Sequence, residues 1–140
     1  TMIKENDLAT MLGDIDGHAN RITSYLQSVD IEQCGAFLEV EVREEKEAMM
    51  AAMIWSSRRS SENLSKLVIM LDNFNPERCK AVADEMTELE VREHVILEAS
   101  GGITFDDIND WKECGLDILS TSTINRGVAP LDVSMLVNSA

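Results

Sequence analysis

The stretch VILEASGGITFDDI, residues 95–108, has the residue types of a phosphate-binding turn. A short apolar strand leads into Ser100, Gly101 and Gly102, and a helix is predicted to begin just after them. Backbone N–H groups at the start of a helix carry partial positive charge, so such a turn can bind a phosphate without Lys or Arg. A tight turn also needs glycine for purely conformational reasons. The residues alone leave both interpretations open.

Two carboxylates occupy similar places in the chain. Glu41 lies at the end of the strand-like AFLEVEV, and Asp72 follows the apolar run LVIML. Parallel α/β folds build their sites at the carboxyl ends of strands, so we expect both acids to lie near the Ser-Gly-Gly turn. Such a pair suits a sugar phosphate, because carboxylates accept hydrogen bonds from ribose hydroxyls or hold Mg²⁺ through water. Both acids could instead be ordinary helix caps.

The order of segments indicates a parallel α/β fold. The strand-like runs are continuous and apolar, and no Asn-Gly or Asp-Gly turn joins one strand to the next. The predicted strands cover residues 36–42, 67–71, 95–99 and 118–121, after the end of another strand at residues 1–4. The predicted helices cover residues 19–28, 44–55, 76–89 and 104–115, and a polar loop covers residues 56–65.

Successive strand ends at Glu41, Asp72, Ser100 and Thr121 follow one another at intervals that suit single βα units. Four or five such units are too few to close an eight-stranded barrel. We therefore expect a partial parallel (β/α) barrel, or an open sheet, with any further strands outside these residues. The uncovered edge of such a sheet invites pairing, so we also expect a homo-oligomer.

Composition limits the class of protein. The chain has 140 residues, 44% of them hydrophobic and 27% charged, which is typical of one globular domain and not of a disordered segment. The net charge of −14 argues against a nucleic-acid surface, which needs clustered Lys and Arg. No apolar run approaches the roughly 18 residues of a membrane span. Three widely spaced cysteines fit a reduced, cytoplasmic setting.

Six short motifs, in order, resemble the C-terminal half of quinolinate phosphoribosyltransferase, also called nicotinate-nucleotide pyrophosphorylase. The resemblance covers nearly the whole chain and is weakest at residues 13–33 and 55–65. The motifs are MIKEND (2–7), LEVEV (38–42), MLDNFNPE (70–77), LEASGGIT (97–104), LDILSTS (116–122) and APLDVS (129–134).

The resemblance implies an α/β barrel that converts quinolinate and phosphoribosyl pyrophosphate, with Mg²⁺, into nicotinate mononucleotide, pyrophosphate and CO₂ in NAD biosynthesis. It implies that Lys4 meets anionic substrate groups and that Glu41 and Asp72 hold the ribose diol, with Mg²⁺ held indirectly near these two acids. The implied 5′-phosphate site consists of Ser100, Gly101, Gly102, Thr121, Ser122 and Thr123.

The chain departs from the family pattern in three places. Asp7 stands where the lysine motif usually ends in histidine, and Ser122 stands where glycine is usual. Residues 56–65 form an extra segment between a helix and a strand, so we expect them on the face away from catalysis, with Arg58 and Arg59 in solvent.

The family's first domain and its arginine-rich segments precede the lysine motif and are not among these residues. We therefore expect residues 1–140 to be the C-terminal part of a single α/β-barrel domain, and to be inactive alone. Two other functions stay open. The chain could belong to a related nicotinate phosphoribosyltransferase or molybdenum-transport-associated protein, or it could be a non-catalytic fragment or subunit that binds a sugar phosphate.

Two further groups of polar residues have simpler interpretations. Asp14, Asp16 and His18 resemble metal-ligand spacing, but Gly17 and the absence of a downstream bidentate acid favour a solvated turn. Glu39 shares the side of its strand with Glu41, and it either supports the site or is simply buried and paired.

Overall fold

The computed structural model describes residues 1–126, so the APLDVS motif and Pro130 lie outside the described residues. The strands are β1 (Met2–Ile3), β2 (Glu39–Val42), β3 (Leu67–Asp72), β4 (Val95–Ser100) and β5 (Ile118–Ser120). The α-helices are α1 (Glu5–Met11), α2 (His18–Ser28), α3 (Glu45–Ser61), α4 (Pro76–Glu88) and α5 (Thr123–Arg126). Short 3₁₀ turns cover Ile31–Cys34, Arg92–His94 and Ile108–Trp111.

The five strands form one sheet in the order β1-β2-β3-β4-β5, and every neighbouring pair is parallel. Sequential parallel strands need a crossover on one side of the sheet, and helices or long connections provide it here. This confirms the predicted α/β class. A five-stranded parallel sheet in sequential order is consistent with part of a (β/α) barrel.

The side of the sheet that faces the helices is the apolar core. Val40, Ile69 and Leu97 are partners in register across β2, β3 and β4, and all three are fully buried. The helices contribute Leu26 from α2 and Trp55 from α3 to the same core. Alternation along a strand sends every second side chain to this side, so the other side chains point to the opposite side of the sheet.

That second side, which we term the inner face, carries acids among apolar residues. Glu41, Met70 and Glu98 are partners in register, and Glu39 lies one alternation before Glu41. Glu39, Glu41 and Glu98 are all buried. Burying a carboxylate lowers the stability of the fold unless the carboxylate is paired with a cation or protonated. Such groups are found most often at functional sites, so we expect the functional site on the inner face.

The predicted loop at residues 56–65 is wrong in its first part, because α3 continues to Ser61. Trp55 is buried, and its indole Nε1 donates a hydrogen bond to the carbonyl of Ser65 2.9 Å away. Arg58 donates to the carbonyls of Leu26 and Val29 at the end of α2, at 2.9 and 3.2 Å. These tertiary contacts stabilise a polar segment as a helix despite its serine-rich sequence.

Arg58 and Arg59 are therefore not solvent residues, contrary to expectation. The Arg58 side chain is 17% exposed, and its guanidinium lies 5.6 Å from the centroid of the Trp55 ring. Arg59 donates through Nε to the carbonyl of Leu64 at 2.9 Å, and its Nη1 lies 3.1 Å from His94 Nδ1. Both arginines tie the polar segment to the rest of the fold.

The predicted helix at residues 104–115 is also wrong. Turns and the single 3₁₀ turn Ile108–Trp111 replace it. The segment is rich in Asp and Asn, which compete for backbone groups and disfavour helix interiors. The N–H of Thr104 donates to Asp107 Oδ1 at 2.8 Å, which is one half of the expected cap without the helix.

The region around Asp14 combines a correct and a wrong prediction. Asp14 and Asp16 are exposed, as expected of a solvated turn. His18 belongs instead to α2, where its Nδ1 lies 2.9 Å from Glu47 Oε1, and its side chain is 11% exposed. Glu47 lies on α3, so this contact joins two helices that are far apart in the sequence.

None of the helices in residues 1–126 has the length and apolar character needed to cross a bilayer.

Arg58→Ala tests the role of the polar segment. The change leaves the carbonyls of Leu26 and Val29 without their donor, so we expect the free energy of unfolding to fall by roughly 1–3 kcal/mol. Urea denaturation followed by circular dichroism measures it. Lys80→Ala is the control, because Lys80 and Asp84 form an exposed pair on α4 and its loss should cost less than about 0.5 kcal/mol. Equal losses in the two variants would contradict this role for Arg58.

Candidate functional site

The carboxyl ends of the strands meet at one edge of the sheet. Asp72, Ser100 and Ser120 are partners in register across β3, β4 and β5. Glu41 is the next-to-last residue of β2, and Thr121 follows β5 directly. The predicted positions of these polar residues at strand ends are therefore correct. Two small pockets, each lined by these residues and their neighbours, open along this edge.

The first, which we term the acidic pocket, has a volume of about 310 Å³. Lys4 Nζ lies 3.0 Å from Glu41 Oε2, and the Glu41 side chain is 6% exposed while that of Lys4 is 53% exposed. The hydrogen bond to Glu41, together with its negative charge, raises the pKa of Lys4. Lys4 thus stays a cation at any physiological pH. The pocket is lined by Lys4, Glu5, Asn6, Glu41, Arg43 and Asp72.

Arg43 was not found by reasoning from the sequence. Its Nη2 lies 3.6 Å from Glu41 Oε1, and its Nε lies 3.9 Å from Asp72 Oδ2. It also forms an ion pair with Glu5. Arg43 follows Glu41 by two positions, so strand alternation was a signal that could have placed it on the same side. The positive charge of its guanidinium therefore acts on both predicted acids, Glu41 and Asp72.

Asp7, which replaces the family's usual histidine, has a structural use here. The N–H of Lys4 donates to Asp7 Oδ2 at 2.9 Å. A side chain three positions into a helix that accepts from the capping residue fixes the first turn. Asp7 therefore fixes the backbone of Lys4, which lies between the end of β1 and the start of α1.

The second pocket, which we term the serine–glycine pocket, has a volume of about 300 Å³. It is lined by Ser100, Gly101, Gly102, Ser120, Thr121 and Ser122. Because the predicted helix after the glycines is absent, no helix dipole begins at this turn. Any anion here would meet backbone N–H groups and hydroxyls.

The hydroxyls of Thr121 and Thr123 are already engaged in hydrogen bonds within the protein. Both side chains donate to the carbonyl of Ile103, with Thr123 Oγ1 at 3.0 Å. Thr121 Oγ1 also accepts from the N–H of Thr123 at 3.1 Å. These bonds tie the end of β5 to the turn after β4. Of the predicted phosphate contacts among the described residues, Thr123 is the one that does not line the serine–glycine pocket.

Both glycines of the turn adopt backbone conformations that other residues rarely take. Gly101 has φ of 109° and Gly102 has φ of 65°. A Cβ on Gly101 would lie 2.3 Å from Asn73 Oδ1, whereas a Cβ on Gly102 would meet nothing within 4 Å. The conformational interpretation of Gly-Gly is thus true of both positions, and it does not exclude a binding role.

Asn73 joins the two pockets. Its backbone N–H donates to the carbonyl of Ser100 at 2.8 Å, and its side-chain Nδ2 donates to Asp72 Oδ2 at 2.9 Å. It has φ of 58°, a conformation that Asn tolerates better than most residues. The turn after β3 therefore orients the Asp72 side chain, and its Asn73 also lies close to Gly101.

Glu39 is buried rather than paired. Its Oε1 accepts no hydrogen bond from the described residues. Burial, followed by the negative charge of Glu98, raises the pKa of Glu39. Glu98 is different, because its Oε1 accepts a hydrogen bond from Ser120 Oγ at 2.6 Å. The inner face thus places two buried carboxyls below the two pockets.

Glu41 and Asp72 are the residues that could lie near a divalent cation. Within residues 1–126, no group of three or more His, Cys, Asp and Glu side chains is arranged to hold a metal ion. Mg²⁺ commonly keeps several waters and binds through one or two carboxylates together with phosphates of the substrate. The donor set fits an ion that arrives with a phosphate ligand.

Comparison with known proteins gives a consistent result. The family model for the C-terminal domain of quinolinate phosphoribosyl transferase matches residues 1–136. A probable carboxylating nicotinate-nucleotide pyrophosphorylase of Methanothermobacter thermautotrophicus is 28% identical over 134 residues, covering 96% of this chain and 42% of that protein. The carboxylating nicotinate-nucleotide pyrophosphorylase of Dictyostelium discoideum is 30% identical over 137 residues, covering 94% of this chain and 41% of that protein.

The solved structure of the nicotinate-nucleotide pyrophosphorylase from Francisella tularensis matches with a TM-score of 0.59 and 25% sequence identity. The match covers 95% of this chain and 38% of that chain. The chain therefore spans less than half the length of the relatives it matches.

Substituting alanine at Gly101 and at Gly102 distinguishes the cost of a positive φ from the cost of a collision with Asn73. Gly102→Ala adds only the cost of a positive φ, which we expect to lower the free energy of unfolding by about 1 kcal/mol. Gly101→Ala adds a collision with Asn73 and should cost about 2 kcal/mol or more. Urea denaturation measures both. Placing Gly101→Ala in an Asn73→Gly background should recover part of the loss, and an unchanged cost there would show that Asn73 is not the obstacle.

Proposed function

This chain belongs to the quinolinate phosphoribosyl transferase family, and from that premise we propose that it forms the ribose- and phosphate-binding part of an enzyme of NAD biosynthesis. The proposed reaction transfers a phosphoribosyl group from phosphoribosyl pyrophosphate to quinolinate, with loss of CO₂, and gives nicotinate mononucleotide and pyrophosphate. The observation that carries the proposal is the pairing of the acidic pocket with the serine–glycine pocket on one strand-end edge, joined by Asn73.

We propose that the 5′-phosphate binds in the serine–glycine pocket. The left-handed turn at Gly101 and Gly102 leaves the backbone bare of side chains on the pocket side, so an anion can approach closely. Ser100 and Ser122 supply hydroxyls at the same opening, and Thr121 adds its backbone there. The hydroxyls of Thr121 and Thr123 fix the end of β5 by donating to the Ile103 carbonyl. The neighbouring acidic pocket then receives the ribose.

Glu41 and Asp72 are the proposed catalytic carboxylates. As pyrophosphate leaves, the anomeric carbon of the ribose gains positive charge, and carboxylates held beside it stabilise that charge electrostatically. Lys4 and Arg43 hold these acids in place in the free protein and are the cations available to anionic groups of the substrates. Mg²⁺ bound with phosphoribosyl pyrophosphate would be held through water near Glu41 and Asp72 and would neutralise part of the pyrophosphate charge.

We also propose how the chain fits into the whole enzyme. Residues 1–140 form the C-terminal part of one α/β-barrel domain, and preceding segments supply the cations that bind the pyridine dicarboxylate. Two charges, those of Lys4 and Arg43, are too few to neutralise a dicarboxylate and a pyrophosphate together. We place the enzyme in the cytoplasm as a homo-oligomer. The free, buried thiols of Cys34, Cys79 and Cys114 support a reducing compartment.

Glu41→Gln and Asp72→Asn test the carboxylate roles in the enzyme with its preceding barrel strands present. Each should lower kcat/KM for phosphoribosyl pyrophosphate on the order of 10²-fold, because the lost charge acts where positive charge develops. Steady-state release of CO₂ from labelled quinolinate measures this. Asp84→Asn, on the exposed side of α4, is the control and should leave the rate unchanged. Unaltered kcat/KM in both test variants would remove Glu41 and Asp72 from the site.

The isolated 140 residues should bind but not turn over. We expect ribose 5-phosphate to shift the amide resonances of Gly101 and Gly102 in NMR spectra, and we expect no CO₂ release from quinolinate. Restoring the preceding barrel strands and first domain should restore the reaction. Turnover of nicotinate but not quinolinate by that longer protein would favour the nicotinate-specific relative, and binding without any turnover would favour a non-catalytic subunit.

A further inference from the structure

Arg43 reaches the acidic pocket through a side chain that its own contacts hold only weakly. It is 53% exposed, and its Nη2 and Nε lie 3.6 Å from Glu41 and 3.9 Å from Asp72, within the range of an ion pair but beyond that of a hydrogen bond. Its one side-chain hydrogen bond within residues 1–126 runs from Nη1 to Glu5, and both side chains of that pair reach solvent. Nε and Nη2 therefore keep their N–H groups for a ligand.

The backbone of Arg43 is held from two helices. Its N–H donates to Glu47 Oε2 on α3 at 2.8 Å, and its carbonyl accepts from Arg78 Nη2 on α4 at 3.4 Å. Glu47 is buried, and its Oε1 lies 2.9 Å from His18 Nδ1 on α2. An ionised carboxylate only accepts hydrogen bonds, so this contact requires the proton on His18 Nδ1. Glu47 is thus fixed by another helix while it binds Arg43.

Arg78 connects the loop after β2 with the turn after β3. Its Nε donates to Glu45 Oε1 at 2.5 Å, and its guanidinium lies 3.9 Å from the centroid of the Phe74 ring. Phe74 is buried and directly follows Asn73, the residue that joins the two pockets. A guanidinium is attracted to an aromatic face and stacks on it. Arg78 therefore reaches the Arg43 carbonyl from a guanidinium that rests on a buried side chain.

We propose that Arg78 is a positioning residue of the acidic pocket. It acts through Arg43, whose carbonyl it binds while Glu47 binds the N–H, and these two bonds direct the Arg43 guanidinium at an anionic group of the substrate. That group is a phosphate or pyrophosphate, because the adjacent donors Nε and Nη2 match two oxygens of such an anion. The inference rests on the proposed function, in which Lys4 and Arg43 are the cations available to anionic substrate groups.

Arg78→Ala tests the inference in the enzyme with its preceding barrel strands present. It should raise KM for phosphoribosyl pyrophosphate about tenfold and change kcat less than about twofold, because Arg43 binds the anion before and during the reaction alike. Steady-state release of CO₂ from labelled quinolinate measures both constants. A variant that is merely less stable would lose active enzyme, and therefore kcat, at an unchanged KM.

Arg78→Lys keeps a cation on α4 and is the second variant, should Arg78→Ala not fold. An ammonium lacks the planar fork that binds Glu45 and the Arg43 carbonyl together, so KM should rise here as well. A wild-type KM in both variants would overturn the inference.

Arg92→Ala is the matched control. Arg92 also binds a carboxylate, that of Asp117 at 2.7 Å, and a backbone carbonyl, that of Gly115 at 2.8 Å. It precedes β4 and so lies at the opposite edge of the sheet. Its loss should leave KM unchanged, even where it lowers the free energy of unfolding. An equal rise of KM in Arg92→Ala and Arg78→Ala would contradict a role specific to the acidic pocket.

An Arg43→Ala background tests whether Arg78 acts through Arg43. Adding Arg78→Ala there should change KM by less than about twofold, because the guanidinium that Arg78 positions is absent. A rise of KM as large as in the wild-type background would show that Arg78 meets the substrate itself, and the positioning role would be wrong.

Inorganic pyrophosphate is the probe that needs no turnover. With the 140-residue chain, it should shift the Arg43 Nε–H resonance in NMR spectra, and Arg78→Ala should need about tenfold more pyrophosphate for the same shift. If this holds but the longer protein releases no CO₂ from quinolinate, the proposed reaction is wrong and the positioning of Arg43 stands. If the reaction proceeds and Arg78→Ala changes neither KM nor the response of this resonance, only the present inference is wrong.

Discussion

Strand alternation in β2 is the constraint on which the rest of the site depends. Val40 and Val42 are fully buried in the helix-side core, and this obliges Glu39 and Glu41 to point into the inner face. Moving the pairing by one residue would place the valines among the acids and the carboxylates in the apolar core. That would cost more than a domain of this size can tolerate. The packing of the core thus fixes where the acids lie.

Buried acids on the inner face require compensation, and the structure supplies it in three different ways. Glu41 is compensated by Lys4 and Arg43, which reach it from the ends of β1 and β2. Glu98 Oε1 accepts a hydrogen bond from Ser120 Oγ. Glu39 Oε1 accepts no hydrogen bond within residues 1–126, and burial, followed by the negative charge of Glu98, raises the pKa of Glu39. The cations Lys4 and Arg43 thus act at the rim, where the ribose is proposed to bind.

Sequence reasoning predicted the sheet well, because parallel strands buried on both sides have a strong and local signature. The ends of β3 and β4, with Asp72 and Ser100, are where the apolar runs placed them. It failed where tertiary contacts override composition. Residues 56–61 are helical because Trp55 is buried and Arg58 binds the carbonyls at the end of α2, and neither contact is visible in a serine-rich segment.

The site was predicted less completely than the sheet. Arg43 directly follows the LEVEV motif, in which Glu41 was the residue predicted to bind substrate. Its contact with Asp72 on the neighbouring strand depends on the packing of the two strands, which no local sequence pattern encodes. The helix expected after Gly102 failed for the opposite reason, because a capping pattern at Thr104 outweighed the poor helix propensity of the residues that follow.

The missing helix changes the physical account of anion binding at this edge. A helix N-terminus would have offered a fixed partial charge that does not respond to pH. The turn at Gly101 and Gly102 offers oriented N–H groups instead, and its other donors are hydroxyls whose protons can be turned elsewhere. The hydroxyls of Thr121 and Thr123 are directed at a backbone carbonyl, and that of Ser120 at Glu98. The donors that this pocket offers an anion are therefore its backbone N–H groups, together with those hydroxyls that are not already directed at a neighbouring acceptor.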